Sequence, residues 1–185
     1  MLHDIPDDWQ HKDIEQAARF ARGNALALDV GAHRGVVTTA LLRDFKRVVA
    51  IEPSDLAEQI QGATVIRACV SNQAGKCGMA HGKHNTGQRH VAAGDDYDVI
   101  TIDSLGLAPD FIKLDVEGME YFALLGAADT IRKYEPVIMF EENGLNRRYG
   151  VADGECGRLL ESWGAARVLV LRNGSDEDWV YQWPR

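Results

Sequence analysis

The chain has 185 residues and carries 20 basic against 28 acidic side chains, a formal net charge of -8. A chain of this size buries roughly 70% of its unfolded surface and needs no disulfide or metal to fold, and its acidity excludes general affinity for nucleic acid, whose phosphates demand clustered Lys and Arg. Cys69, Cys77 and Cys156 form no C-x-x-C pair, the start MLHDIPDDWQ has no basic and apolar leader, and no run of about 18 apolar residues occurs, so the expectation is a cytoplasmic protein without membrane contact.

Asp7 and Asp8 cap a first predicted helix, on which Ile14, Ala17, Ala18 and Ala21 share one stripe, and Gly23 ends it. Apolar runs bounded by turn residues then predict strands over 25–30, 47–51, 64–70, 98–102, 111–116 and 137–141. Helices are predicted between them over 36–45, 119–133 and 154–163. Residues 166–171 and 179–183 flank an Asn-Gly-Ser-Asp turn and read as an antiparallel pair at one sheet edge. Alternation of this kind specifies α/β, a mostly parallel sheet with helices on both faces. No linker or repeat divides the chain. The expectation is one domain over 1–185, with the helix in 1–24 and the core in 25–185, interrupted by a Gly-rich segment of about 71–97. Residues 71–94 lack Asp and Glu but hold Lys76, Lys83 and Arg89 and three histidines, a basic island suited to greet an anionic small molecule.

Two stretches carry chemistry. In ALALDVGAHRG, Asp29, Gly31 and Gly35 sit at a strand-to-helix turn, and Glu52 ends the next strand, where a carboxylate can accept both hydroxyls of a ribose. A dinucleotide site also places an acid on ribose, but its pyrophosphate needs G-x-G-x-x-G, and His33 stands two positions past Gly31. In DFIKLDVEGMEYFALLGA, residues 110–127, Lys113, Asp115 and Glu117 alternate with Ile112, Leu114 and Val116. All three charges therefore share one strand face, the last two near the carboxyl end where open α/β sheets bind ligands. The local alternatives are an internal Lys113–Asp115 ion pair and a helix-start role for Glu117.

The second stretch closely resembles the hallmark of the FkbM family of S-adenosylmethionine-dependent methyltransferases, D-x-I-K-I-D-V-E-G-x-E before a helix that ends in Gly-Ala. Asp110, Ile112, Lys113, Leu114, Asp115, Val116, Glu117, Gly118 and Glu120 carry the match. The resemblance extends from about 25 to 163, taking in Val70-Ser71, Asn85, Gly87, Ile102-Asp103 and 136–141. It implies a class I methyltransferase, a Rossmann-like three-layer sandwich with a mostly parallel seven-stranded sheet and an antiparallel edge strand.

The resemblance further implies S-adenosylmethionine as cofactor, contacted by Asp29, Gly31, Ala32, His33, Gly35, Glu52, Pro53, Ser54, Val70 and Ser71. Of these, 31–33 would lie beside the methionyl part and Val70 and Ser71 beside adenine. His33-Arg34 replaces a pair that is often Asn-Ile or similarly small in the family, and the segment 54–64 is short for it. The expected activity is O-methylation of a hydroxyl on a small molecule or glycan, with Asp115, Glu117 and Glu142 as candidate catalytic acids and bases and Glu141 and His33 as further bases. Lys83, Asn85 and Arg89 would contact the acceptor. A metal-dependent variant would use Asp115, Glu142 and Asn143 as oxygen ligands for Mg²⁺; the metal-free form is the expectation. The competing reading is a catalytically idle adenosyl-ligand-binding protein or regulatory subunit, which needs no base. Oligomeric state is left open.

Overall fold

The computed structural model describes residues 8–80, 89–173 and 176–184. Strands β1 (Ala27–Val30), β2 (Val48–Ile51) and β7 (Phe111–Leu114) are short and fully buried because helices cover both of their faces, and Asp29 and Lys113 are the charged residues within them. With β3 (Thr64–Ile66), β8 (Val137–Glu142), β9 (Ala166–Asn173) and β10 (Asp176–Gln182) they form the expected seven-stranded sheet, ordered β3-β2-β1-β7-β8-β10-β9. Neighbours are parallel except β10, which runs antiparallel to both β8 and the edge strand β9. The turn expected between β9 and β10 lies partly outside the described residues, as does Asp7, the proposed cap of α1.

Helices α1 (Asp8–Ala18) and α2 (Val36–Asp44) cover one sheet face, where Ile14, Ala17, Leu41 and Phe45 pack on Phe111, Met139 and Val180. Helices α3 (Glu120–Leu125), α4 (Ala128–Tyr134) and α5 (Glu155–Ser162) cover the other through Leu124, Ile131 and Leu160 against Leu28, Ile112 and Phe140. Each fully buried Leu, Ile or Phe contributes about 1.5–3 kcal/mol, so these two interfaces hold the sheet between its helical layers.

Four expected elements change. The strand expected over 64–70 splits: β3 stays in the main sheet, while β4 (Cys69–Val70) turns away to pair with β6 (His90–Ile100). The strand expected over 98–102 is the end of β6, which with β5 (Gly75–Ala80) and β4 makes a second sheet ordered β4-β6-β5. The basic island thus supplies two antiparallel arms beside the main sheet's carboxyl edge. The helix expected over 119–133 breaks between α3 and α4, where Asp103 caps the new helix, accepting from the amides of Asp129 and Thr130 at 3.2 and 2.8 Å; only glycine fits at 126, since a Cβ there would stand 2.1 Å from the Ser71 carbonyl oxygen. The strand expected over 111–116 ends at Leu114. Glu117 takes a left-handed φ of 54° and Gly118 one of 101°, so the chain turns there instead of extending. The short segment 54–64 makes only a 3₁₀ turn, Asp55–Gln59.

Candidate active site

A cavity of about 390 Å³ opens at the carboxyl ends of β1, β2 and β7, a volume suited to a small molecule. One side is formed by the turn after β1 and by Glu52, Pro53 and Ser54 after β2; the hairpin arms contribute Met79, Arg89 and Val91; Lys113, Asp115, Val116 and Glu117 form the far end. The two sequence stretches singled out for chemistry therefore line one space.

They also touch. A Cβ on Gly31, whose φ is 83°, would stand 1.8 Å from the carbonyl oxygen of Asp115, and the Asp115 amide donates to the Val30 carbonyl at 2.9 Å. Only glycine fits where the turn lies on the extension of β7. Gly35 does not line the cavity; in the left-handed region at φ 83°, it starts α2 and packs on Ile60. Asp29 is 1% exposed and accepts from the Thr38 hydroxyl at 2.5 Å, which ties β1 to α2. Burial pushes its carboxyl up to about 6 despite Thr38 and Lys113.

Glu52 is buried but oriented. One carboxylate oxygen accepts from the His33 amide at 2.9 Å; the other accepts from the Ser54 amide at 3.0 Å and the Ser54 hydroxyl at 2.6 Å. A carboxylate offers about four lone-pair sites. Three are filled, so a ribose that claims both oxygens must displace the Ser54 hydroxyl. His33 has a left-handed φ of 50°, half-buries its ring, and leaves Nε2 buried without a hydrogen-bond partner. Burial pushes its pKa down, with Arg34 and Arg89 acting the same way and Glu52 and Asp115 against it, so the ring is neutral at neutral pH.

Ala32, Pro53 and Val70 line the cavity as expected, whereas Ser71 does not. Its amide donates to the Ile100 carbonyl at 3.0 Å and its own carbonyl lies against Gly126; Ala68 and Cys69 flank Val70 in the wall instead. Lys83 and Asn85 lie outside the described residues. Arg89 lines the cavity, with its Nε buried and lacking a hydrogen-bond partner.

At the far end, Lys113 is 4% exposed, and its ammonium lies 3.2 Å from Asp178 and 3.9 Å from Asp115 and donates to the Leu114 carbonyl at 3.4 Å. The nearer partner is thus Asp178 on β10, not the expected Asp115. Burial alone would push Lys113 down; the carboxylates of Asp178, Asp115 and Glu141 more than offset it and hold the ammonium charged. Glu117 is pushed up to about 8 by burial and then by Asp115, Glu141 and Glu120, against Arg148. It holds its proton at neutral pH, and the turn takes it off the strand face expected from alternation. Glu141 is raised to about 7 by burial and by Asp115, with Lys113 opposing.

Glu142 is a correction. Successive strand residues alternate faces, so Glu141 meets Asp115 and Lys113 while Glu142 turns to the Gly154 amide, Arg158 and Arg147. Asn143 donates to Glu141 at 2.6 Å and accepts from the Leu145 amide at 3.0 Å. Asp115, Glu142 and Asn143 are therefore not assembled as a Mg²⁺ site, and among the described residues no cluster of His, Cys, Asp and Glu has metal-holding geometry. The helix-start role weighed for Glu117 belongs to Glu120. Its buried carboxylate accepts from the amides of Val116 and Gly118 at 2.9 and 3.3 Å and from Asn146 at 3.0 Å, locking the turn. Sequence reasoning missed this role and that of Asp178; a carboxylate opening an apolar helix signals the first, and no local pattern signals the second.

The Methyltransferase FkbM domain profile matches residues 29–175. The chain belongs to the FkbM methyltransferase family. Similar solved structures include Methyltransferase FkbM from Methylobacillus flagellatus KT, at 19% identity and a TM-score of 0.58 over 86% of this chain and 44% of that one. N-methyltransferase NodS from Bradyrhizobium japonicum WM9, in complex with S-adenosyl-l-homocysteine, gives 14% and 0.55 over 100% and 91%; the putative methyltransferase yhhF from Escherichia coli gives 12% and 0.53 over 95% and 85%. The likeness shows the class I methyltransferase fold, and this FkbM-family chain spans less than half the length of the solved FkbM relative. No protein of curated function matches. Among the described residues of this family member, no helix is long and apolar enough to cross a membrane.

Proposed function

We propose that the chain is an S-adenosylmethionine-dependent O-methyltransferase for a hydroxyl on a small molecule or glycan. The observation that carries this reading is the single cavity joining Glu52 and the glycine turn to Asp115 and Glu117. The residues present suit the cofactor: Glu52 offers a fixed carboxylate to ribose, Ala68, Cys69 and Val70 offer an apolar wall to adenine, and His33 and Arg89 line the rest of the space. NodS, which shares the fold, is solved with S-adenosyl-l-homocysteine, and this supports the same ligand class here.

Bound S-adenosylmethionine supplies an electrophilic methyl group on a sulfonium. Asp115 accepts the proton of the attacking hydroxyl. Glu117, protonated at neutral pH, donates a hydrogen bond to the acceptor and keeps it in line, since positioning supplies much of the rate in such a displacement. Arg89 pairs with an anionic group of the acceptor. A catalytically idle adenosyl-ligand-binding protein has no use for the charged far end, and the buried Lys113–Asp178 pair beneath Asp115 favours catalysis over it.

The test is thermal: S-adenosylmethionine and S-adenosylhomocysteine raise the melting temperature and NAD does not, because a ligand that binds only the native state stabilises it by mass action. Stabilisation by NAD alone overturns the cofactor. Labelled methyl transfer is then measured on a panel of sugars, polyketide alcohols and hydroxy acids; label on nitrogen acceptors only overturns the O-methyl assignment.

A further inference from the structure

The buried ammonium of Lys113 lies among more carboxylates than it can serve. From the turn after β7 it meets Asp115; from β8, Glu141; from β10, Asp178; from β1, Asp29. Asp115 itself faces Glu117, Glu141, Glu120, Asp29 and His33. Which carboxylate holds the ammonium most closely decides how much negative charge the cavity end keeps. The distances answer: 3.2 Å to Asp178, 12% exposed, and 3.9 Å to Asp115, 41% exposed. Asp178 reaches Lys113 across β8, where Asp178 pairs with Glu141 and Lys113 with Met139. It lies beyond the span matched by the FkbM domain profile, which ends at residue 175.

We propose that Asp178 is a positioning residue that holds the Lys113 ammonium down at sheet level, so that Asp115 is left as a free carboxylate facing the cavity. An ammonium in hydrogen-bond contact with Asp115 weakens it as a proton acceptor, because the opposite charge favours the ionised form. Held by Asp178, the same ammonium lies near Asp115 without capturing its oxygens. This inference rests on the reading of Asp115 as the base.

The test is Asp178→Asn, with Asp178→Ser in its place should Asn not fold. In a crystal structure of the variant with S-adenosylhomocysteine, the Lys113-to-Asp115 separation closes to a hydrogen bond of about 2.9 Å. Calorimetric affinity for S-adenosylhomocysteine stays within about twofold, and on an acceptor from the panel turnover falls about tenfold or more while the acid limb of the pH–rate profile moves to lower pH. Asp178→Glu, which keeps the charge, restores the limb. A purely structural role lowers turnover without moving the limb. An ammonium that stays in place or turns to Glu141, or an unmoved limb, overturns the proposal. If the wild type fails to bind S-adenosylhomocysteine, the cofactor reading fails instead.

Discussion

The two ends of the cavity are built on opposite electrostatic plans. At one end Glu52 is surrounded by neutral donors, the amides of His33 and Ser54 and the Ser54 hydroxyl, all within 3.0 Å. At the other, Asp115, Glu141 and Asp178 gather round the buried ammonium of Lys113, Glu117 lies near Asp115 and Glu141, and burial with like charge raises Glu117 to about 8 and Glu141 to about 7. The first end fixes its carboxylate in place with neutral donors. The second stores repulsion that a proton relieves, which is how sites tuned for acid–base work look.

Breaking the junction between the ends has the largest expected effect. Gly31→Val places a side chain where even a Cβ would lie 1.8 Å from the Asp115 carbonyl, at a φ of 83° that valine avoids. The expected loss exceeds about 3 kcal/mol of folding stability, read from the denaturant midpoint, and retention of wild-type stability removes this contact from the account. Next in size is the acid–base end alone. Asp115→Asn lowers turnover by about 10²- to 10⁴-fold, with S-adenosylhomocysteine affinity unchanged in calorimetry; full turnover returns Asp115 to a mere partner of Lys113.

The ribose end gives a smaller, complementary effect. Glu52→Ala weakens S-adenosylhomocysteine binding by about 2–4 kcal/mol, since charged acceptor bonds are lost and the His33 and Ser54 amides lose their partner. Unchanged affinity takes Glu52 out of the site. Smallest is a pH effect confined to the crowded end. Because Glu117 rises from 4.5 to about 8 on folding, the native state binds its proton more tightly than the unfolded state. Stability from this group is present below pH 4.5 and lost as pH rises to about 8. Glu117→Gln therefore flattens the decline of stability across that window, and an unchanged slope in denaturation at several pH values counts against a half-buried, protonated Glu117.

Local signals carried much of this site. Asp29, Gly31, Ala32, His33, Glu52, Pro53, Ser54, Val70, Arg89, Asp115 and Glu117 all line the cavity, because a strand end followed by glycine or an acid is a pattern of neighbouring residues. Ser71 and Glu142 went elsewhere for reasons that are not local. Ser71 follows the point where the chain leaves the main sheet, and its backbone is claimed by Ile100 and Gly126. Glu142 and Glu141 are adjacent in sequence, and only the register of β8 against β7 and β10 decides which of them meets Asp115.

The sequence alone determined the α/β class and the antiparallel pair at one edge, since hydrophobic periodicity and turn residues encode which faces are buried; the seven-stranded sheet came from the resemblance to the FkbM family. It also determined that an acid would stand at the ends of β2 and β7. Tertiary structure decided which charges share an environment. Lys113 is matched to Asp178 rather than to its near neighbour Asp115 because β10 returns antiparallel beside β8, and Glu117 leaves the strand face because the turn at Gly118 is pinned by Glu120 and Asn146. Electrostatic pairing depends on distance through space and on burial, and strand pairing between distant segments fixes both.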